Sequence, residues 1–205
     1  MPTRIRMSPQ VRRRQIVEAA AELLGEKGYK GVTLREVADR VGISQPGLLH
    51  YVGNKAGLLS LLVTDLYDVD GTPDVFLRSG RRGSDPGHPH LPAYFRFLVE
   101  HNAAQPQLVK LYTVLQTEAV DPSHPLHDYF VTRPSRVWES YSRFPWALPP
   151  GLDWAGDMPG LIRMSLEAMD GIQVRLLHLP LIDYVDEWSR FEAILFPLPQ
   201  WRGLL

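Results

Sequence analysis

The apolar residues of this chain recur three and four positions apart, which is the spacing of a helix that buries one face. Ile16, Ala20 and Leu23 keep this spacing in the first segment, and Gly28 follows them as a helix stop. No stretch sustains the two-residue alternation of a half-buried strand. The pattern therefore predicts an all-α fold.

Polar residues that favour helix starts separate the apolar runs of the first segment. Ser8, Thr33, Ser44 and Asn54 each precede such a run, and Glu36 stands three residues after Thr33, as in a capping box. Each of these side chains can accept a hydrogen bond from a free amide of the first turn. The pattern predicts three short helices and then a longer fourth helix over about residues 54–69.

Proline and glycine break the periodicity over residues 71–92, which predicts a mobile connector. Pro134 must interrupt or kink the weakest of the helical patterns that follow it. These patterns cover residues 94–101, 107–118, 126–142, 161–179 and 182–196. The expected architecture is an N-terminal three-helix domain in residues 1–55 and a C-terminal antiparallel helical bundle in residues 70–205.

Charge is distributed unevenly along the 205 residues, although the net charge is only −1. Residues 1–55 hold ten Lys or Arg against five Asp or Glu, whereas the remainder holds twelve against eighteen. A basic head on an acidic body indicates that the head meets a polyanion. No apolar run approaches the roughly 20 residues that cross a bilayer, so we expect a cytoplasmic protein without a membrane partner.

The sequence lacks the residues and motifs of disulfides, of metal sites and of common enzymes. The chain has no cysteine, which excludes disulfides and thiolate zinc sites. No glycine-rich phosphate loop, nucleophile elbow or H-E-x-x-H sequence occurs, so an enzyme is not expected. The histidine pairs His88/His90 and His124/His127 have no carboxylate or cysteine at ligand spacing. We therefore expect no metal and no cofactor.

Residues 33–55 read TLREVADRVGISQPGLLHYVGNK, which has the pattern of a helix-turn-helix. Gly42 can adopt the left-handed conformation of the turn, Ile43 can fill the angle between the helices, and Ser44 can cap the second helix. In DNA-binding proteins of this kind the second helix enters the major groove. The basic head is therefore expected to bind double-stranded operator DNA.

The second helix and its neighbours supply the candidate DNA contacts. Gln45 can bond an adenine edge, and Pro46 and Leu49 can pack on thymine methyl groups. Lys55 begins the fourth helix, where free amides and a cation together can hold a phosphate. The expected contact residues are Thr33, Ser44, Gln45, Pro46, Gly47, Leu49, His50, Tyr51 and Lys55.

The segment over residues 12–62 resembles the DNA-binding head of TetR-type repressors. The resemblance rests on AAAELLGEKGY at residues 19–29, TLREVA at residues 33–38 and GISQPGLLHYVGNKAGL at residues 42–58. It implies a homodimer with an N-terminal DNA-binding domain and a C-terminal helical domain. That second domain would bind a small effector and dimerise through its last two helices. Gly47 and Leu49 depart from the family's usual polar residue and tyrosine, which leaves the operator sequence and affinity open.

The C-terminal body is more loosely similar to betaine-repressor-like regulators, at residues 118–130 and 167–177, and this similarity identifies no ligand. An effector pocket is expected between the central helices, and its few formal charges indicate an apolar or aromatic effector. The candidate pocket residues are Tyr94, Phe97, His101, Tyr112, Gln116, Trp138, Tyr141, Met164 and Met169. Most of these side chains are also suited to an ordinary core.

The last two helices are more apolar than one buried face requires, which favours a dimer over a wholly intramolecular core. The candidate interface residues are Leu161, Ile162, Leu166, Met169, Ile172, Leu176, Leu177, Ile182, Val185, Phe191, Ile194 and Leu195. The sequence therefore predicts a ligand-responsive transcriptional repressor. The alternatives are a helical small-molecule-binding protein with weak or non-specific DNA binding, and an activator or global DNA-binding protein of the same fold.

Overall fold

The computed structural model describes residues 8–67, 71–179 and 181–205, and within them the fold is all-α, as predicted. Apart from one isolated bridge between His90 and Ala147, these residues contain no β-structure. The helices are α1 (Pro9–Gly31), α2 (Leu34–Val41), α3 (Gln45–Val52), α4 (Lys55–Leu62), α5 (Pro73–Leu77), α6 (Leu91–Ala103), α7 (Pro106–Glu118), α8 (His127–Tyr141), α9 (Asp157–His178) and α10 (Tyr184–Leu195).

The fourth helix is shorter than the sequence pattern predicted. It is α-helical only over Lys55–Leu62, and a π-helical segment, Val63–Tyr67, continues it. The last predicted residues of this helix, 68 and 69, lie outside the described residues, as do Arg4 and Arg6 of the basic head. The first helix is interrupted where the sequence predicted its stop: Gly28 is non-helical, with φ 69° and ψ 172°, and a short helical segment follows it to Gly31.

The predicted connector over residues 71–92 contains a helix and core residues, which corrects its interpretation as a mobile segment. Helix α5 spans Pro73–Leu77 within it, and Phe76 of α5 is fully buried. Its ring contacts Tyr94 and Phe97 of α6 edge-on or tilted. The aromatic contacts fix this segment on the body although its prolines and glycines break the helical period.

Two apolar clusters hold the helices together. The first joins α1 to α4 and also contains Leu111, Tyr112 and Leu115 of α7, so this body helix packs directly on the head. The second joins α5, α6, α9, α10 and the C-terminal residues, with Trp146, Trp188 and Trp201 fully buried. Helix α8 has no fully buried residue, and it is continuous across Pro134. The division into residues 1–55 and 70–205 as separate domains stays a prediction.

Candidate DNA-binding surface and effector cavity

Local hydrogen bonds fix the turn between α2 and α3. Gly42 has φ 72° and ψ 37°, and its amide donates to the carbonyls of Ala38 and Asp39. The Ile43 amide donates to the Ala38 carbonyl at 3.0 Å. Ser44 Oγ then accepts from the Gly47 amide at 3.2 Å and so caps α3. Glycine adopts the left-handed conformation of this turn without steric cost. The Ser44 cap satisfies the Gly47 amide, which would otherwise have no partner in the first turn of α3.

The predicted base-contacting helix exposes its first residues. Gln45, Pro46 and His50 are exposed on α3, whereas Leu48 is fully buried under them in the head core. Leu49 is half-buried. Buried Leu48 thus anchors α3 in the head core, and the exposed side chains of Gln45, Pro46 and His50 can contact a partner.

Tyr51 has two environments. Its ring is half-buried against the head core, and it also meets the His50 ring edge-on, with 5.7 Å between the ring centroids. Gly47 is half-buried, and a Cβ at this position would lie 3.2 Å from Ser44 Oγ. These positions agree with the predicted surface, but as DNA contacts they stay proposals.

Two capped helix N-termini carry the predicted phosphate contacts Thr33 and Lys55. Thr33 and Glu36 form the reciprocal capping box of α2, with the Thr33 amide 2.8 Å from Glu36 Oε2. Asn54 caps α4 by accepting from the Gly57 amide at 2.8 Å, and Lys55 is the first residue of that helix. Free amides at a helix start and a nearby cation favour an anion.

The charges beside these N-termini are coupled through Glu36. Lys27 Nζ lies 2.7 Å from Glu36 Oε1, and this contact together with the Thr33 hydrogen bonds lowers the pKa of Glu36 to about 2. Partial burial lowers the pKa of Lys55, while the negative charge of Glu36 opposes that shift. Glu36 therefore stays ionised at neutral pH and holds the cation Lys27 beside the start of α2.

A cavity of about 210 Å³ lies between α8, α9 and the residues Tyr67, Gly71 and Thr72. Charged side chains on two helices line it, namely Arg133 and Arg136 on α8 and Asp170 on α9. The remaining lining residues are Tyr67, Gly71, Thr72, Leu98, Asn102, Val137, Ser140, Tyr141, Leu166, Met169 and Gln173. Three charged residues contradict the expectation of a pocket with few formal charges.

A second cavity of about 210 Å³ lies on the other side of Arg133, Val137, Leu166 and Asp170, which line both cavities. Its other walls include Tyr112, Gln116, Phe130 and Trp138. Burial raises the pKa of Asp170, although the positive charge of Arg133 and a hydrogen bond from Gln116 act in the opposite direction. We call the two spaces together the effector cavity, because they form the candidate site for the predicted effector.

A hydrogen-bonded network lies at the lining of the effector cavity. Gln173 is buried, and its Nε2 donates to Tyr184 Oη at 2.9 Å and to Tyr67 Oη at 3.1 Å. The rings of Tyr67 and Tyr112 stack with centroids 3.7 Å apart, and the Arg133 guanidinium lies 4.9 Å from the Tyr112 centroid. Burial raises the pKa of Tyr67 well above its ordinary value, so the network holds a neutral phenol.

The structure brings five of the nine predicted pocket residues to the effector cavity: Tyr112, Gln116, Trp138, Tyr141 and Met169. The other four lie elsewhere, which corrects their assignment. Tyr94 is fully buried and donates to the Gly71 carbonyl at 2.8 Å, and Phe97 packs in the body core. The His101 ring pairs with Gln105 at 2.7 Å, and Met164 is 48% exposed on the surface. Sequence reasoning missed Arg133, Asp170 and Gln173, since a polar residue in an amphipathic helix normally faces solvent.

The predicted dimer residues divide into two groups. Ile162, Met169 and Ile172 are at most 3% exposed in a single chain, so they belong to the core, which corrects their assignment to an interface. Phe191 and Ile194 are exposed on α10, the latter by 76%. The others are half-buried: Leu161, Leu166, Leu176, Leu177, Ile182, Val185 and Leu195.

Helix α9 also has two exposed apolar residues that were not among the predicted interface residues. Met164 and Val174 are exposed on α9, beside the helix that carries Phe191 and Ile194.

The described part of the chain has no helix long and apolar enough to span a membrane. Within the same residues, no three His, Cys, Asp or Glu side chains come together in a way that could hold a metal ion.

Comparison with known proteins places the head in a family. Residues 16–62 match the profile of the family described as bacterial regulatory proteins, tetR family. The tetracycline repressor protein class D of Escherichia coli is 43% identical over 54 residues, which are 26% of this chain and 25% of that protein. The regulator BetI 1 of Chromohalobacter salexigens is 30% identical over 128 residues, which are 62% of this chain and 59% of that protein. The chain thus spans less than two thirds of either relative.

Most of the chain shares its fold with solved structures. A Rhodococcus sp. protein assigned to the TetR family of transcriptional regulators superposes with a TM-score of 0.63 at 19% sequence identity. The superposition covers 91% of this chain and 97% of that one. Residues 16–62 therefore carry the segment that is typical of bacterial regulatory proteins of the tetR family, and the chain shares the all-α fold of the Rhodococcus sp. structure.

Proposed function

We propose that this protein is a ligand-responsive, sequence-specific repressor that binds operator DNA as a homodimer. One observation carries the proposal: α3 is capped and anchored by buried Leu48, and its side with Gln45, Pro46 and His50 is open. The capped starts of α2 at Thr33 and of α4 at Lys55 suit phosphates. Repression, rather than activation, is supported by the matched head of the tetracycline repressor.

The homodimer is supported by the exposed apolar residues of α9 and α10. Met164, Val174, Phe191 and Ile194 would be covered by the same helices of a second copy. A two-fold dimer would place its two α3 helices in successive major grooves, at half-sites about 34–36 Å apart or somewhat more. The two heads then read a pseudo-palindromic operator.

Direct contacts connect the effector cavity to the head, so a bound ligand could alter DNA binding. Tyr67 ends the π-helical segment that continues α4, stacks on Tyr112 and bonds Gln173, and all three of these residues line the effector cavity. Tyr112 also belongs to the head core. The contact of Tyr67 with Tyr112 and Gln173 could have two arrangements, each with a different separation of the heads. A ligand that binds one arrangement more tightly would favour that head separation and so release DNA. A bound ligand that left operator affinity unchanged would disprove this coupling.

The test is a gel-shift titration against DNA selected from a random pool, with unselected DNA of equal length as competitor at physiological salt. We expect a retarded complex at nanomolar protein that the competitor does not displace. The double variant His50→Ala/Lys55→Ala should lose it while staying folded and dimeric. Equal, weak and salt-sensitive binding to both DNAs would contradict the proposal and support a small-molecule-binding protein with non-specific DNA binding.

A further inference from the structure

Helix α8 connects the two apolar clusters of the fold. Leu126, the residue before its first turn, is fully buried in the head core, and Tyr129 and Phe130 of the first turn pack against the same cluster. Near the other end of the helix, Trp138 and Tyr141 pack against the body core. Because the two ends of α8 are fixed to different clusters, a bend between them changes how head and body lie relative to each other.

Ring contacts hold both ends of α8. The Phe130 ring meets the Tyr112 ring edge-on, with 5.5 Å between the centroids, and Tyr112 is a buried member of the head core. The Tyr141 ring meets the Tyr94 ring edge-on at 5.3 Å, and Tyr94 is fully buried in the body core. The Tyr141 carbonyl also accepts a hydrogen bond from Trp146 Nε1 at 2.8 Å. Neither end of the helix can move without disturbing a buried aromatic side chain.

The middle turn of α8 has much less support. The side chains of Val131, Thr132, Pro134 and Ser135 are exposed, and no residue of this helix is fully buried. The neighbouring α9 buries side chains along most of its length. Local opening of a helix costs least where few buried apolar contacts have to be broken. The middle turn of α8 should therefore open more readily than α9.

Two local features weaken this turn further. Pro134 has no amide hydrogen, so the Phe130 carbonyl cannot receive the hydrogen bond that residue 134 of a helix normally donates, and the proline ring crowds that carbonyl. Two residues earlier, Thr132 Oγ1 donates to the Asp128 carbonyl at 2.9 Å, a type of bond that often bends helices. Helix α8 is continuous across Pro134 in this structure, and the turn around Pro134 is where it can bend at least cost.

We propose that Pro134 is a hinge in α8 that couples the body to the DNA-binding head, and that the continuous form of α8 is the one that binds operator DNA. The proposal rests on the function proposed above, because it names a moving element of that regulator. A continuous α8 and the open side of α3 occur together in this structure. A bend at Pro134 would shift the head core against the body core and so change the separation of the two heads in a dimer.

The first experiment measures amide hydrogen exchange of the full chain by mass spectrometry, without DNA. In the wild type, peptides from residues 128–140 should exchange faster than peptides from α9, because the middle turn opens while the body stays folded. Pro134→Ala restores the missing donor and should slow exchange at the amides common to both proteins by about tenfold or more.

Ser135→Ala is the matched control for this measurement. It changes the exposed neighbour, keeps Pro134 and should alter the exchange of α8 by no more than about threefold. Equal exchange in wild type and Pro134→Ala would overturn the hinge. Wild-type exchange that is as slow in α8 as in α9 would overturn it as well.

The second experiment tests the coupling through its reciprocity. If the hinge affects DNA binding, then DNA binding must affect the hinge by the same free energy. The selected operator should slow the exchange of residues 128–140 in the wild type, and unselected DNA of equal length should slow it less. Pro134→Ala should bind the operator about fivefold more tightly or better, and Ser135→Ala should bind like the wild type. Operator binding by Pro134→Ala that is weaker than, or within about twofold of, the wild type would overturn the coupling.

The two experiments distinguish a failure of this inference from a failure of the proposed function. If an operator is selected but Pro134→Ala changes neither its affinity nor the exchange of α8, the hinge is wrong and the regulator stands. If no operator is selected, the regulator and the coupling are wrong, and the exchange of α8 still decides whether Pro134 is a hinge. Circular dichroism and light scattering of each variant show whether fold and oligomeric state are retained.

Discussion

Lys55→Gln is the most direct test of the phosphate contact proposed at the start of α4. Lys55 follows the cap Asn54 as the first residue of α4, and its side chain is partly buried. Each phosphate contact that is lost makes the slope of log K against log salt less negative by about 0.9. A dimer loses one contact in each head, which gives a change of about 1.8.

The consequence is measurable as a difference in salt sensitivity. Between about 50 and 200 mM salt, the wild type should lose about ten times more affinity than Lys55→Gln loses. Fluorescence anisotropy with the selected operator, at four or more salt concentrations, gives both slopes.

Arg143→Gln is the matched control, since it removes one exposed positive charge just after α8 in the body. Its slope should equal that of the wild type. Equal slopes for Lys55→Gln and the wild type would show that Lys55 contacts no phosphate. A reduced slope in Arg143→Gln would show that the overall charge, and not the contact, controls the affinity.

Three further predictions concern stability and assembly. Leu48→Ala removes a fully buried side chain from the head core and should lower the free energy of unfolding in urea by about 2–5 kcal/mol; a loss below about 1 kcal/mol would contradict the packing described. Arg13 Nε lies 2.6 Å from Asp65 Oδ2 and lowers the pKa of that carboxyl. The ion pair therefore stabilises the folded protein fully above pH 3.8, the ordinary Asp pKa. This stabilisation is lost as the pH falls through the lowered pKa of Asp65. Asp65→Asn should therefore cost at most about 1 kcal/mol at pH 7 and nothing in acid, since both side chains are partly exposed, and a difference that persists in acid would refute the ion pair as its cause. Ile194→Glu should leave the chain folded but monomeric in light scattering, whereas Val131→Glu, at a 62% exposed position of α8, should stay dimeric; a dimeric Ile194→Glu would remove α10 from the interface.

The head could be predicted closely because its signals are local. Thr33, Ser44 and Asn54 cap the helices that they were expected to cap, and Gly42 has the left-handed conformation that the turn requires. Each of these interactions joins residues within five positions of one another. Gly57 gave no such signal, although a Cβ there would lie 2.0 Å from the Val52 carbonyl oxygen and prevent α4 from starting so close to α3.

The body was harder to predict because the direction of a side chain depends on distant helices. Met164 and Met169 are both apolar residues of α9, but five residues turn a helix by about 140° beyond one full circle. Met164 is therefore 48% exposed while Met169 is 3% exposed and lines the effector cavity. For the same reason the sequence could not show that Arg133 and Asp170, which are 37 positions apart, face one space.

Gly47 and Leu49 differ from the usual residues of TetR-type heads. We expect this difference to change which bases α3 contacts, and not to prevent α3 from forming. Glycine costs a helix up to about 1 kcal/mol relative to alanine, but the Ser44 cap contributes about the same amount, and Pro46 in the first turn favours the helix start. Leu48 and Val52 are buried in the head core and hold α3 in place. Leu49, half-buried and without a polar group, can supply only an apolar contact on this surface. We therefore propose that sequence reading depends on the exposed residues Gln45, Pro46 and His50, and we expect an operator that differs from those of relatives with a tyrosine in place of Leu49.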